Sequence, residues 1–124
     1  MTPLSVVVWQ EDPRVARDLA ASLCHHFHSV HVADSHEDVR SMLVKHRAEV
    51  VVLDMEGAHL ETVERLHRDF SSVCIVCTHR VADEEMWAAA LDVGASDYCQ
   101  ASDTEGILLA AIRNVSINNR SAAA

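Results

Sequence analysis

The stretch Val50-Val51-Val52-Leu53-Asp54-Met55-Glu56-Gly57 runs four apolar residues straight into a carboxylate. Other polar groups that could do chemistry also follow apolar runs. Gln10, Glu11 and Asp12 come after Leu4–Trp9, Thr78, His79 and Arg80 after Val73–Cys77, and Gln100, Ala101 and Ser102 after Tyr98-Cys99. If the runs Leu4–Trp9, Val50–Leu53 and Val73–Cys77 are neighbouring strands, Glu11, Asp54 and Thr78 share one pocket. Clustered carboxylates raise one another's pKa unless a cation joins them. A hard divalent ion such as Mg²⁺ suits such a pocket, with water and phosphate oxygens completing its shell. A screened carboxylate beside a hydroxyl has the makings of a phosphoryl acceptor, forming an acyl phosphate. The alternative is that Asp54 merely ends a strand and Thr78 merely starts a loop.

Three further groups carry less. Cys74-Ile75-Val76-Cys77 has the C-x-x-C spacing of a redox pair or half a zinc site. It lies in a predicted strand, where residues three apart point to opposite faces, so the sulfurs diverge and read as core. His25, His26, His28 and His31 cluster near a turn with no matching carboxylate or thiol spacing, and read as a solvated surface group. Trp87 either packs on the sheet or stands exposed as a contact residue, and the pattern of its helix allows both.

The elements that must position these residues follow from hydrophobic periodicity. Leu4–Trp9 reads as a buried strand. Asp12 caps and Pro13 opens a first helix to about His25, with Val15, Leu19, Ala20, Leu23 and Cys24 at helical spacing. Val30–Ala33 is a shorter, more polar strand suited to a sheet edge. Asp34 or Ser35 caps a second helix with Val39, Met42 and Leu43 inward. Glu49–Asp54 and Val73–Cys77 are apolar on both faces. Leu60, Val63, Leu66 and Phe70 mark the third helix, and Asp83–Val93 forms a fourth that stops at Gly94. Tyr98-Cys99 is the core of a short fifth strand, followed by a helix with Ile107, Leu108, Ala111, Ile112 and Val115 on one face. Residues 1–118 form one domain, and 119–124 read as a flexible tail or linker. Strands and helices that alternate over long connections give a parallel sheet covered on both faces.

The totals agree. A chain of 124 residues, 49% hydrophobic and 23% charged, fits one soluble domain. A net charge of -9 repels phosphate backbones and disfavours direct binding to nucleic acid. No run is long and apolar enough to span a bilayer, so no membrane contact is expected. No basic-then-apolar leader opens the chain, and a cytoplasmic address with free thiols is the expectation.

The motifs VVVWQEDP (Val6–Pro13), VVVLD (Val50–Asp54), VCT (Val76–Thr78) and GASDY (Gly94–Tyr98), in this order and spacing, resemble a response-regulator receiver domain over Leu4 to about Asn114. The resemblance implies a flavodoxin-like, doubly wound (βα)5 fold with strand order 2-1-3-4-5. It implies that Asp54 accepts a phosphoryl group from a histidine kinase or phosphotransfer protein. Gln10, Glu11, Asp54 and Glu56 would form the Mg²⁺ site, and Thr78 would bond the phosphoryl group. Thr78 and Tyr98 would be the switch pair. The face of the fourth helix, fifth strand and fifth helix would then meet an output domain, a partner protein or a second copy.

The departures are as informative. Glutamine stands at the first position of the family's acidic pair, as Gln10, and the second acid is the longer Glu11. The family's lysine after the fifth strand is replaced by Ala101, the only lysine of the chain being Lys45 in the second helix. His79 stands where a small residue is usual, and the loop after Asp54 is short. Three functions are therefore carried forward. The first is a phospho-accepting receiver in phosphorelay signalling. The second is a pseudo-receiver acting through protein contacts without phosphorylation. The third, disfavoured because the chain has three glycines and no glycine-rich phosphate loop, is a small flavodoxin-like cofactor-binding enzyme.

Overall fold

The computed structural model describes residues 2–81 and 83–123, with the side chains of 3–81 and 83–115. Five strands and five helices alternate. The strands are β1 (Thr2–Trp9), β2 (Phe27–Val32), β3 (Val50–Asp54), β4 (Cys74–His79) and β5 (Asp97–Gln100). The helices are α1 (Pro13–Leu23), α2 (Asp38–His46), α3 (Leu60–Asp69), α4 (Glu84–Asp92) and α5 (Thr104–Ala123). All strand pairs are parallel and the order is β2-β1-β3-β4-β5, as expected for the doubly wound flavodoxin-like fold.

The sheet divides two cores by the alternation of its side chains. Val7, Val51, Leu53, Ile75 and Cys77 point toward α2, α3 and α4, where Val39, Leu43, Val63, Leu66 and Ala90 meet them. Val6, Val8, Val50, Val52, Cys74 and Val76 point toward α1 and α5, against Leu19, Leu23, Ile107, Ala111 and Val115. Every residue of β3 is buried, which is why that stretch is apolar on both faces. Cys74 and Cys77 fall in opposite cores, as the strand period requires.

Several boundaries differ from the sequence reading. β2 starts at Phe27, before Val30, because the Phe27 ring is fully buried and anchors the strand. β4 runs on through Thr78 and His79, which are paired strand residues and not a loop, with Asp54 opposite Thr78. α2 begins at Asp38, and Ser35 serves from a distance by accepting the Asp38 N–H at 3.2 Å. Ile112, expected inward, is 37% exposed; Ala110 takes its place in the stripe with Ile107, Ala111 and Val115. The backbone of α5 continues to Ala123 through most of the segment expected as a tail, since no Gly or Pro interrupts it; Ala124 lies outside the described residues. The cap at Asp12 is as expected, accepting from Arg14 N; Asp83, expected as the first residue of the fourth helix, instead caps it, accepting from Glu85 N and Met86 N.

One contact at the sheet edge has a consequence for stability. The His31 ring on β2 stacks on His46 at the end of α2, with centroids 3.6 Å apart and planes 8° from parallel. Partial burial, then the charge of His46 and then that of Lys45, hold His31 below its ordinary value of 6.5. The folded state therefore favours neutral His31, and the unfolded chain binds its proton more readily. The stabilisation is complete above the ordinary value and is lost as pH falls through the lowered one. Urea midpoints measured from about pH 7 down to about pH 5 should fall less steeply in His31→Asn than in the native chain. Equal slopes would show that the pair is not linked to folding.

Candidate functional site

Gln10, Asp54 and Thr78 are the buried polar or charged residues among those described, at 5%, 5% and 0% exposure. The sheet explains why they meet. Asp54 pairs with Thr78 across β3 and β4, and Gln10 follows Trp9, which pairs with Leu53. The three form one row across the carboxyl ends of three adjacent strands, where open parallel sheets place their sites.

Each member of the row is tied down. The Asp54 carboxylate accepts the Glu11 N–H on Oδ2 and the Glu56 N–H on Oδ1, both at 2.9 Å. Gln10 Nε2 donates to Thr78 Oγ1 at 2.9 Å, spanning the strand that lies between them. Burial of an amide without such a partner costs roughly 1–3 kcal/mol, so this bond holds Gln10 in place. Glu56 Oε1 accepts the Arg80 N–H at 3.2 Å and so joins the β3–α3 loop to the end of β4. Gly57 is needed where it stands: a Cβ there would lie 2.6 Å from Trp9 Cη2 and 3.3 Å from Glu11 Oε2.

Above the row opens a cleft of about 230 Å³ lined by Gln10, Glu11, Asp12, Val15, Asp54, Glu56, Arg80 and Ala101. Its lining carries four carboxylates and one guanidinium. Ala101 lines the cleft at the place where the sequence reading noted the loss of a lysine. Lys45 belongs to α2 and influences His31 instead.

Among the described residues no three His, Cys, Asp or Glu side chains stand where they could hold one metal ion together. The Glu11 carboxylate lies against Gly57, the Glu56 carboxylate is engaged by Arg80, and Gln10 presents its N–H to Thr78. Mg²⁺ is ordinarily held by one or two carboxylates with water and phosphate oxygens completing its shell, and the Glu11, Asp54 and Glu56 carboxylates line the cleft where it would bind.

Tyr98 is half-buried on β5 and stacks on His79, with centroids 4.6 Å apart and planes 15° from parallel. Burial first, then the charges of Asp83, Glu56 and Asp54 with a contribution from the Cys77 thiol, raise its phenol above the usual range. The resemblance implied Tyr98 as one of the switch pair, with Thr78, but gave no sign of the stack. The signal was present: Tyr98 pairs with Cys77, and His79 lies two residues beyond Cys77, so both rings stand on one face of the sheet. Trp87, left open between core and surface, is 48% exposed, and the inward packing on α4 falls to Met86 and Ala90.

A scan against protein-family models finds no match, and no curated protein sequence matches. Solved structures do. The chain superposes on the N-terminal signal receiver domain of a two-component response regulator from Bacteroides fragilis with a TM-score of 0.81 and 20% identity, covering 92% of this chain and 98% of that one. A CheY-like receiver domain protein from Methanospirillum hungatei gives 0.83 at 12% identity, covering 97% and 99%. NtrX from Brucella abortus gives 0.85 at 14% identity; the match covers 97% of this chain but 28% of NtrX. The chain therefore has the receiver-domain fold, in a strongly diverged sequence. No helix among the described residues is long and apolar enough to cross a membrane.

Proposed function

We propose that this chain is a receiver module of two-component signalling that works by docking on a partner protein without taking up a phosphoryl group. One observation carries the reading: the cleft over Asp54 sets four carboxylates against one guanidinium and has alanine where a counter-cation would stand. A phosphoryl dianion placed there gains no lysine and meets Glu11, Asp12 and Glu56. An unpaired charge in such a partly desolvated site costs several kcal/mol. The output surface is the face of α4, β5 and α5, where Trp87 and Leu91 stand exposed one helical turn apart. The partner is an output domain or separate regulator in the cytoplasm, and no catalytic turnover is assigned to the chain.

The second reading keeps phosphorylation: Asp54 accepts a phosphoryl group from a histidine kinase, with Mg²⁺ brought in alongside the donor, and Thr78 and Tyr98 respond. What favours it is that Asp54 lies on the floor of an open cleft, directly across from Thr78. Incubation with Mg²⁺ and a small-molecule phosphodonor, followed by intact mass, separates the two. The docking reading expects no gain in mass. Gain of one phosphoryl group in the native chain, absent from Asp54→Asn, would overturn it in favour of the second.

A further inference from the structure

In this chain the ring most able to connect the Asp54 cleft to the docking face is Tyr98. It lies on β5 and packs partly against the core under α4, and its phenol is raised first by burial and then by Asp83, the cap of α4. The element that holds Tyr98 is His79, which sits between Thr78 of the buried row and Arg80 of the cleft lining. The two rings are diagonal neighbours on adjacent strands, within reach of one another on the same face. Their backbones are fixed on both sides: Ala101 N–H donates to His79 O at 2.9 Å, and Tyr98 N–H to its neighbour Asp97 Oδ1 at 2.8 Å. His79 Nδ1 is buried with no hydrogen-bond partner among the described residues. An imidazole held for polar reasons would normally satisfy that atom, so its placement is explained by the stack and not by a hydrogen bond.

We propose that His79 is the clamp that sets the rotamer of Tyr98, so that the shape of the α4–β5 surface is fixed by this stack and not by what occupies the Asp54 cleft. This rests on the docking reading and supplies its regulation: the output face is held in one form constitutively. A small residue at position 79 would leave Tyr98 free to take a second rotamer.

Tyr98 is the only tyrosine of the chain, so its ring resonances are unambiguous in an aromatic NMR spectrum. The expected result is one shielded set of Tyr98 signals in the native protein, unmoved by Mg²⁺ and phosphodonor. In His79→Ala the signals lose the imidazole ring current and move downfield, and the minor rotamer gains population about five-fold, the scale of one aromatic stack. His79→Phe restores a stacking ring without the Nδ1 atom and should keep the native rotamer. Unchanged Tyr98 signals in His79→Ala, or a folded His79→Phe that behaves like the alanine variant, would overturn the clamp. Intact mass on the same native sample reports the docking reading separately: a phosphoryl gain sinks that reading, whereas the clamp stands or falls on the Tyr98 signals of the variants.

Discussion

Replacing Ala101 with lysine and Gln10 with aspartate is expected to raise the capacity of Asp54 for phosphorylation, which on the docking reading the native cleft lacks. Ala101 lines the cleft, so an ammonium on a four-carbon stem at this position has open space leading toward the Asp54 carboxylate. A hydrogen bond to a charged group contributes about 1.5–3 kcal/mol, or on the order of ten- to a hundred-fold in an equilibrium. The aspartate acts differently. It removes the amide that ties up Thr78 Oγ1 and adds an oxygen ligand beside Asp54. Intact mass after treatment with Mg²⁺ and a phosphodonor should show one phosphoryl group in the double variant and none in the same variant carrying Asp54→Asn. If the double variant stays unmodified while folded, charge imbalance is not what silences Asp54. The tied orientation of its carboxylate, between the Glu11 and Glu56 amides, would then be the reason.

The largest effect on stability is expected from Gly94→Ala. Gly94 joins α4 to β5 with φ of 120°, a backbone region that side chains rarely adopt, and a Cβ there would lie 2.4 Å from His67 Cγ. Strained backbone of this kind costs about 1–3 kcal/mol, and forcing an extra carbon into packed surroundings adds about as much. A loss of about 3 kcal/mol or more in urea denaturation is therefore expected, against a typical total stability of roughly 5–15 kcal/mol. His67→Ala in the same background removes the ring but leaves the His67 Cβ 2.6 Å from the new carbon and the backbone strain unchanged, and should recover only part of the loss. A Gly94→Ala chain as stable as the native one would mean that α4 shifts to accommodate it, and that the α4–β5 joint is soft.

The fold was legible because its signals are redundant. A sheet buried on both faces must be apolar on both faces, so β3 and β4 announced themselves as continuous runs, and the cap at Asp12 marked the start of α1 by local hydrogen bonding. Boundaries were less legible where one side chain decides them from a distance. Phe27 lengthens β2 because a core accepts its ring, and β4 extends to His79 because β3 and β5 continue to pair with it. Asp54 and Thr78 could be placed together from strand order. The Gln10–Thr78 bond could not, since it depends on a glutamine reaching over an intervening strand. The same holds for the stacks of His79 on Tyr98 and His31 on His46, which need register and rotamer as well as sequence spacing.

The division of the cysteines between the two sides of the sheet has a practical outcome. Cys74 and Cys77 are fully enclosed, and burial pushes their thiols up to about 11 and about 12, while Cys99 is pushed up to about 11. The nucleophile in alkylation is the thiolate, so Cys74 and Cys77 are shut out near neutral pH by enclosure and by acidity, and the partly buried Cys99 by its raised pKa. Cys24 alone is exposed, just past the end of α1. The native protein should therefore accept a single maleimide dye, without any cysteine being engineered out. The dye would sit away from α4, ready to report by fluorescence anisotropy the arrival of whatever binds at Trp87.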